Sequence, residues 1–75
     1  MNKTRRKAIE SACVKLSDVR NDIQYVLDEE QEAFDNTPES LHDTDRYMES
    51  EDAIAALEEA VNSVGDAIDI LAEWL

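Results

Sequence analysis

Residues Ala53 to Leu75 read AIAALEEAVNSVGDAIDILAEWL, one heptad written three times and then begun again. Ile54, Leu57, Val61, Val64, Ile68, Leu71 and Leu75 alternate at spacings of three and four. That spacing lays them along one seam of a helix that buries itself against another helix. The same rhythm occurs upstream: Ile9, Ala12, Leu16, Val19, Ile23 and Val26 predict a first long helix over residues 4–34. Asn2 or Thr4 is expected to cap it.

Pairing the two seams antiparallel sets 26 against 54, 23 against 57, 19 against 61, 16 against 64, 12 against 68 and 9 against 71, and every pair of numbers adds to 80. The register therefore predicts a hairpin with its turn centred on residue 40, inside DNTPESLHDT (35–44). Pro38 cannot sit inside a helix, and Asn36 and Thr37 before it end one well. Thr37 is expected to cap a short turn with Pro38 at its first position. Leu41 is expected to fold back on Phe34 and Tyr47 as a plug. The second helix, 45–74, restarts after Asp43 or Thr44 as cap.

The expected fold is all-α: an antiparallel two-helix, coiled-coil-like hairpin forming one domain over residues 1–75, alone or doubled into a four-helix bundle. Seventy-five residues lie near the lower limit for a self-sufficient core, so self-association or docking on another protein is expected. Val14, Tyr25, Leu27, Ile70 and Trp74 fall off the seam, with Ala53, Ala60 and Ala67 as a smooth flank; Tyr25, Ile70 and Trp74 form the candidate oligomer surface, with a homodimer or a protein partner as the occupant. Gly65, in the middle of the second helix, costs about 1 kcal/mol relative to Ala. A close helix approach there is one explanation, and tolerated drift is another.

Nineteen acidic residues against seven basic ones give a net charge of −12. The excess is concentrated, because Asp28 to Glu59 holds thirteen carboxylates and one cation, Arg46. The hairpin thus has a strongly negative head and a balanced foot. The basic start, Lys3, Arg5, Arg6 and Lys7, opposes the helix dipole by about 0.3–1 kcal/mol per charge, and the register sets it near Glu73 and the terminal carboxylate, which it is expected to neutralise. Four charges in so acidic a chain make a poor grip on nucleic acid, so none is expected to bind directly.

Carboxylates recurring along two helices can mimic a phosphate backbone, which carries about one charge per 1.7 Å of duplex axis. The plainer alternative is a solvated acidic face serving solubility. Crowding like charge at one end opposes stability, which favours a use for it.

Catalysis is poorly supported, and no cofactor is expected. Cys13 is the lone cysteine, so no internal disulfide forms and a cysteine zinc site within one chain is excluded. Glu39 to His42 spells ExxH, but it follows Pro38 in the turn and His42 is the only histidine, so no metal site is expected. No apolar run approaches the roughly 20 residues needed to cross a bilayer. MNKTRRK leads into no apolar signal segment, so a cytoplasmic, unprocessed protein with no membrane contact is expected.

The opening MNKTRRKAIE, the turn segment DEEQEAFDNTPESL, the Arg46-Tyr47 pair and the AIAALEEAV and AIDIL repeats together resemble small acidic helical proteins carried by phages, prophages and mobile elements. Glu29 to Leu41 is the most distinctive part. Such proteins are often similar in style to inhibitors of host defence, including anti-CRISPR and anti-restriction proteins that occupy nucleic-acid sites. The resemblance implies a non-enzymatic inhibitor in the host cytoplasm, bound to a host protein with a basic, nucleic-acid-binding surface. Asp28, Glu29, Glu30, Glu32, Asp35, Glu39, Asp43 and Asp45 would then stand in for phosphates, with Phe34, Tyr47 and the Pro38 turn holding them in place. The alternative is a homo-oligomeric structural or adaptor hairpin.

Overall fold

The computed structural model describes all residues, 1–75. Asn2 starts the first helix: from an extended backbone (φ −82°, ψ 170°) its Oδ1 accepts the Arg5 backbone N–H at 2.8 Å, satisfying one of the free donors of the first turn. Helix α1 then runs through Lys3–Asp35, 33 residues without interruption. Its end is closed by Asn36, whose N–H donates to the Glu32 carbonyl at 3.0 Å, and by Thr37, whose N–H donates to the Phe34 carbonyl at 3.2 Å. Pro38 stops further propagation, with ψ at 143°.

A single 3-10 turn, Glu39–Leu41, follows. Thr44 then opens α2, Asp45–Ala72, its Oγ1 accepting the Tyr47 N–H at 3.3 Å while its own hydroxyl donates to the Leu41 carbonyl at 2.8 Å. The molecule is thus an all-α helical hairpin with no strand. It forms a rod whose Cα extents are 59 × 14 × 13 Å, with the turn at one end and both chain termini at the other.

The second helix buries what its heptads predict: Ile54 and Val61 are buried, and Leu57, Val64, Ile68 and Leu71 are half-buried. The first helix departs from expectation. Val19 and Val26 are 46 % and 49 % exposed, and the buried residue is Leu27, clustered with Ile54 and Val61 against Ile23, Phe34 and Leu57. The seam on α1 therefore runs Ile9, Cys13, Leu16, Arg20, Ile23, Leu27, Glu30, Phe34. Both phases satisfy a three-four rhythm. The larger Leu27 and Phe34 settle the choice, since burying them removes more apolar area from water than burying Val26 and Ala33. Val19 consequently does not face Val61.

This rotation brings Arg20 to the seam, and Gly65 accommodates it. A Cβ on residue 65 would lie 3.0 Å from the Arg20 guanidinium carbon and Nη2. Gly65 is buried beneath a crossing arginine, and the atoms nearest to it belong to that side chain and not to the backbone of α1.

Two details of the turn also differ from the sequence reading. Thr37 does not cap the 3-10 turn; its hydroxyl donates backwards to the Ala33 carbonyl at 3.0 Å, serving the end of α1 instead. Leu41 is 48 % exposed and is not the plug. That place is taken by His42, whose ring stacks on Tyr47, which in turn stacks on Phe34.

Candidate functional site

The head of the rod is a short stack of rings surrounded by carboxylates. Phe34 from the last turn of α1 and Tyr47 from the first turn of α2 lie with centroids 4.4 Å apart and planes 16° off parallel. His42 covers the other face of Tyr47 at 4.4 Å and 15°. The His42 Nε2 lies 3.0 Å from the Thr37 carbonyl oxygen. A carbonyl only accepts, so this nitrogen carries the proton and donates. The stack ties α1, the turn and α2 together at the point where the chain reverses.

Around it, Asp28, Glu29, Glu32, Asp35, Glu39, Asp43 and Asp45 are all exposed. Two are held by neighbours one helical turn back: the Gln24 side-chain amide donates to Asp28 Oδ1, and that of Gln31 to Asp35 Oδ1, each at 2.9 Å. Glu29 lies one turn beyond Tyr25, and its carboxylate, by hydrogen bonding and by charge, raises the Tyr25 phenol above its usual 10.0.

Glu30 differs from the other carboxylates. It is half-buried and its Oε1 accepts a short hydrogen bond from the Ser50 hydroxyl across the interhelical seam. Its role is to join the helices, and it presents little charge outward. The pair 30 and 50 adds to 80, so the register contained this contact. The glutamine-to-aspartate clamps were legible as i, i+4 pairs, whereas nothing local in the sequence marks His42 as the third ring.

Beside the stack, a cleft of about 920 Å³ opens between the helices. Val26, Ala33, Leu41, Ala53 and Leu57 supply its apolar wall, and Glu30, Glu49 and Arg46, the only cation of the head, its polar rim.

The candidate oligomer residues do not form one surface. Tyr25, two positions from the buried Leu27, points away from α2, and Ile70, five positions past the buried Gly65, points away from α1. They are 65 % and 63 % exposed on opposite edges of the rod, with Trp74 beyond the end of α2 at 54 %. No group of three or more His, Cys, Asp or Glu side chains is arranged to hold a metal ion, and no helix is long and apolar enough to cross a membrane. No family profile, curated protein or solved structure matches the chain.

Proposed function

We propose that this hairpin is a non-enzymatic binding protein whose acidic head covers a basic, nucleic-acid-binding surface on a protein partner. The observation that carries the reading is the distribution of charge: thirteen carboxylates against one cation over Asp28–Glu59, with seven of the acidic residues of the head exposed. Charge spread for solubility alone needs no such concentration, and the mutual repulsion opposes folding at that end. The ring stack fixes the turn, so the carboxylates are presented on a preorganised support, which lowers the ordering entropy lost on binding.

The finer reading, inhibition of a host defence protein of the anti-CRISPR or anti-restriction kind in the host cytoplasm, rests on the sequence resemblance. In both readings Asp28, Glu29, Glu32, Asp35, Glu39, Asp43 and Asp45 make the contacts, and Glu30, Phe34 and Tyr47 hold the frame.

The test is capture with the tagged protein from nuclease-treated host lysate, followed by challenge of the captured partner with DNA and RNA. A nucleic-acid-binding protein released by its own ligand, and no longer captured after joint reversal of Glu29, Glu32, Asp35 and Glu39 to Lys, supports the proposal. Capture that survives those reversals overturns it and leaves the charge to solubility in a structural or adaptor hairpin.

A further inference from the structure

A two-helix rod leaves both long sides of its seam uncovered, and here one of them is apolar. The cleft beside the head identifies which side it is, because Val26 of α1 and Leu57 of α2 both line it. Stepping from each by sevens, which returns a helix to nearly the same azimuth, gives Val19 and Ala12 on α1 and Val64 and Leu71 on α2. Val19 and Val26 are about half exposed, and the other four are half-covered. The two rows flank the seam on one side and run the length of the rod. This is why α1 carried two acceptable three-four rhythms: one row faces α2 and the neighbouring row faces outward.

The surface area states how much is missing. The chain exposes 5812 Å² at a mass of 8.5 kDa, whereas a folded monomer of that mass exposes about 4,650 Å². The excess of about 1,150 Å² per chain, buried between two copies, makes an interface of about 2,300 Å² in total, within the range of obligate homodimers. The radius of gyration agrees, at 17.2 Å against about 11 Å for a compact domain of this length. Only three apolar side chains are buried, and none is completely so.

The missing area points to a second copy, and charge selects its direction. The foot of the rod carries Lys3, Arg5, Arg6 and Lys7, all exposed and balanced by Glu10, Asp66, Asp69 and Glu73, and the head carries the net negative charge. A second copy laid antiparallel sets each balanced foot, with its four cations, beside the other's acidic head. A parallel copy would set the two heads together, within each other's screening length of about 8–10 Å.

We infer that a second copy of this chain docks antiparallel on the face formed by Ala12, Val19 and Val26 of α1 and Leu57, Val64 and Leu71 of α2, completing a four-helix bundle with its dyad near Val19. This goes beyond the partner-binding proposal and involves no other protein. The dimer leaves one acidic head at each end, about a rod length apart.

Sedimentation equilibrium on the full chain reads the first half of the inference, with an expected mass twice 8.5 kDa. Val19→Glu together with Val26→Glu, placing charge on a face the isolated hairpin leaves open, is expected to weaken association at least a hundredfold. Ile70→Glu on the outer edge is expected to change it less than threefold. A spin label at Ser40→Cys in a Cys13→Ser background reads the direction without disturbing the face. Antiparallel docking gives a head-to-head distance near the 59 Å length of the rod. A monomer at 100 μM, an assembly larger than two, a dimer indifferent to the Val19 and Val26 changes, or a short head-to-head distance each overturns the inference.

Discussion

Phe34 and Tyr47 stack at 4.4 Å across the chain reversal, and the contact joins the last turn of α1 to the first turn of α2. In a hairpin with only three buried apolar side chains, a single aromatic clasp carries an unusual share of the tertiary structure. Tyr47→Ala is therefore expected to destabilise the protein by about 2 kcal/mol, since it removes both the apolar area and the aromatic pair. Tyr47→Phe keeps the stack and should cost less than about 0.5 kcal/mol. Urea unfolding at fixed protein concentration checks both, and equal effects from the two substitutions would assign the stabilisation to the hydroxyl instead.

Gly65 supports a prediction of opposite sign. Its backbone is helical and has no positive φ, so an added Cβ meets only the far end of the Arg20 side chain, at 3.0 Å. That end is flexible and can move by a few tenths of an ångström. Gly65→Ala is then expected to stabilise the protein by about 0.5–1 kcal/mol through helix propensity, seen as a raised thermal midpoint by circular dichroism. A fall in midpoint that Arg20→Ala rescues would mean that the guanidinium is held rigidly over α2.

Tyr25 gives an alkaline signature. Its phenol titrates above 10.0 because Glu29 accepts from the neutral hydroxyl and repels the phenolate. The unfolded chain releases this proton near pH 10 and the folded chain releases it later, so the folded state binds more protons between the two values. The contribution is fully present below pH 10 and is lost as pH rises through the folded value. Phenolate absorbance in a Tyr47→Phe background should show one late transition that Glu29→Gln moves to lower pH. An unmoved transition would remove Glu29 as the cause.

The head predicts the response to salt. Its thirteen carboxylates, offset by a single cation, repel one another in the folded rod more than in the expanded chain. Raising sodium chloride from 20 to 500 mM is expected to raise the thermal midpoint. Reversal of Glu29, Glu32, Asp35 and Glu39 to Lys should flatten that dependence. A midpoint that falls with salt in the unaltered protein would show that attractive pairs dominate.

The hairpin, the reversal between Asp35 and Thr44, and a pair of candidate caps at each helix start, of which Asn2 and Thr44 serve, were legible because each depends on chemistry within a few residues. The pairing of 30 with 50 was also legible, since two heptad patterns meeting antiparallel have little freedom of register. The choice between Val26 and Leu27 was not. It depends on which of two adjacent apolar rows meets α2, and that is decided by Phe34 reaching Tyr47, seven residues beyond Leu27 and across the turn. His42 escaped for a related reason: a ring in a loop finds its partner only once the turn exists. The exposed carboxylates of the candidate site followed from charge counting, but Glu30 turns inward because Ser50 stands opposite, which a charge count ignores and only the interhelical register shows.

Both chain ends emerge at the foot of the 59 Å rod, at the opposite end from the ring stack. Anything fused to either terminus hangs like a handle on the side remote from the acidic tip. Within one hairpin a reporter or tag at either end stays clear of that hairpin's own charged tip, whereas in the antiparallel pair it lies beside the tip of the other copy.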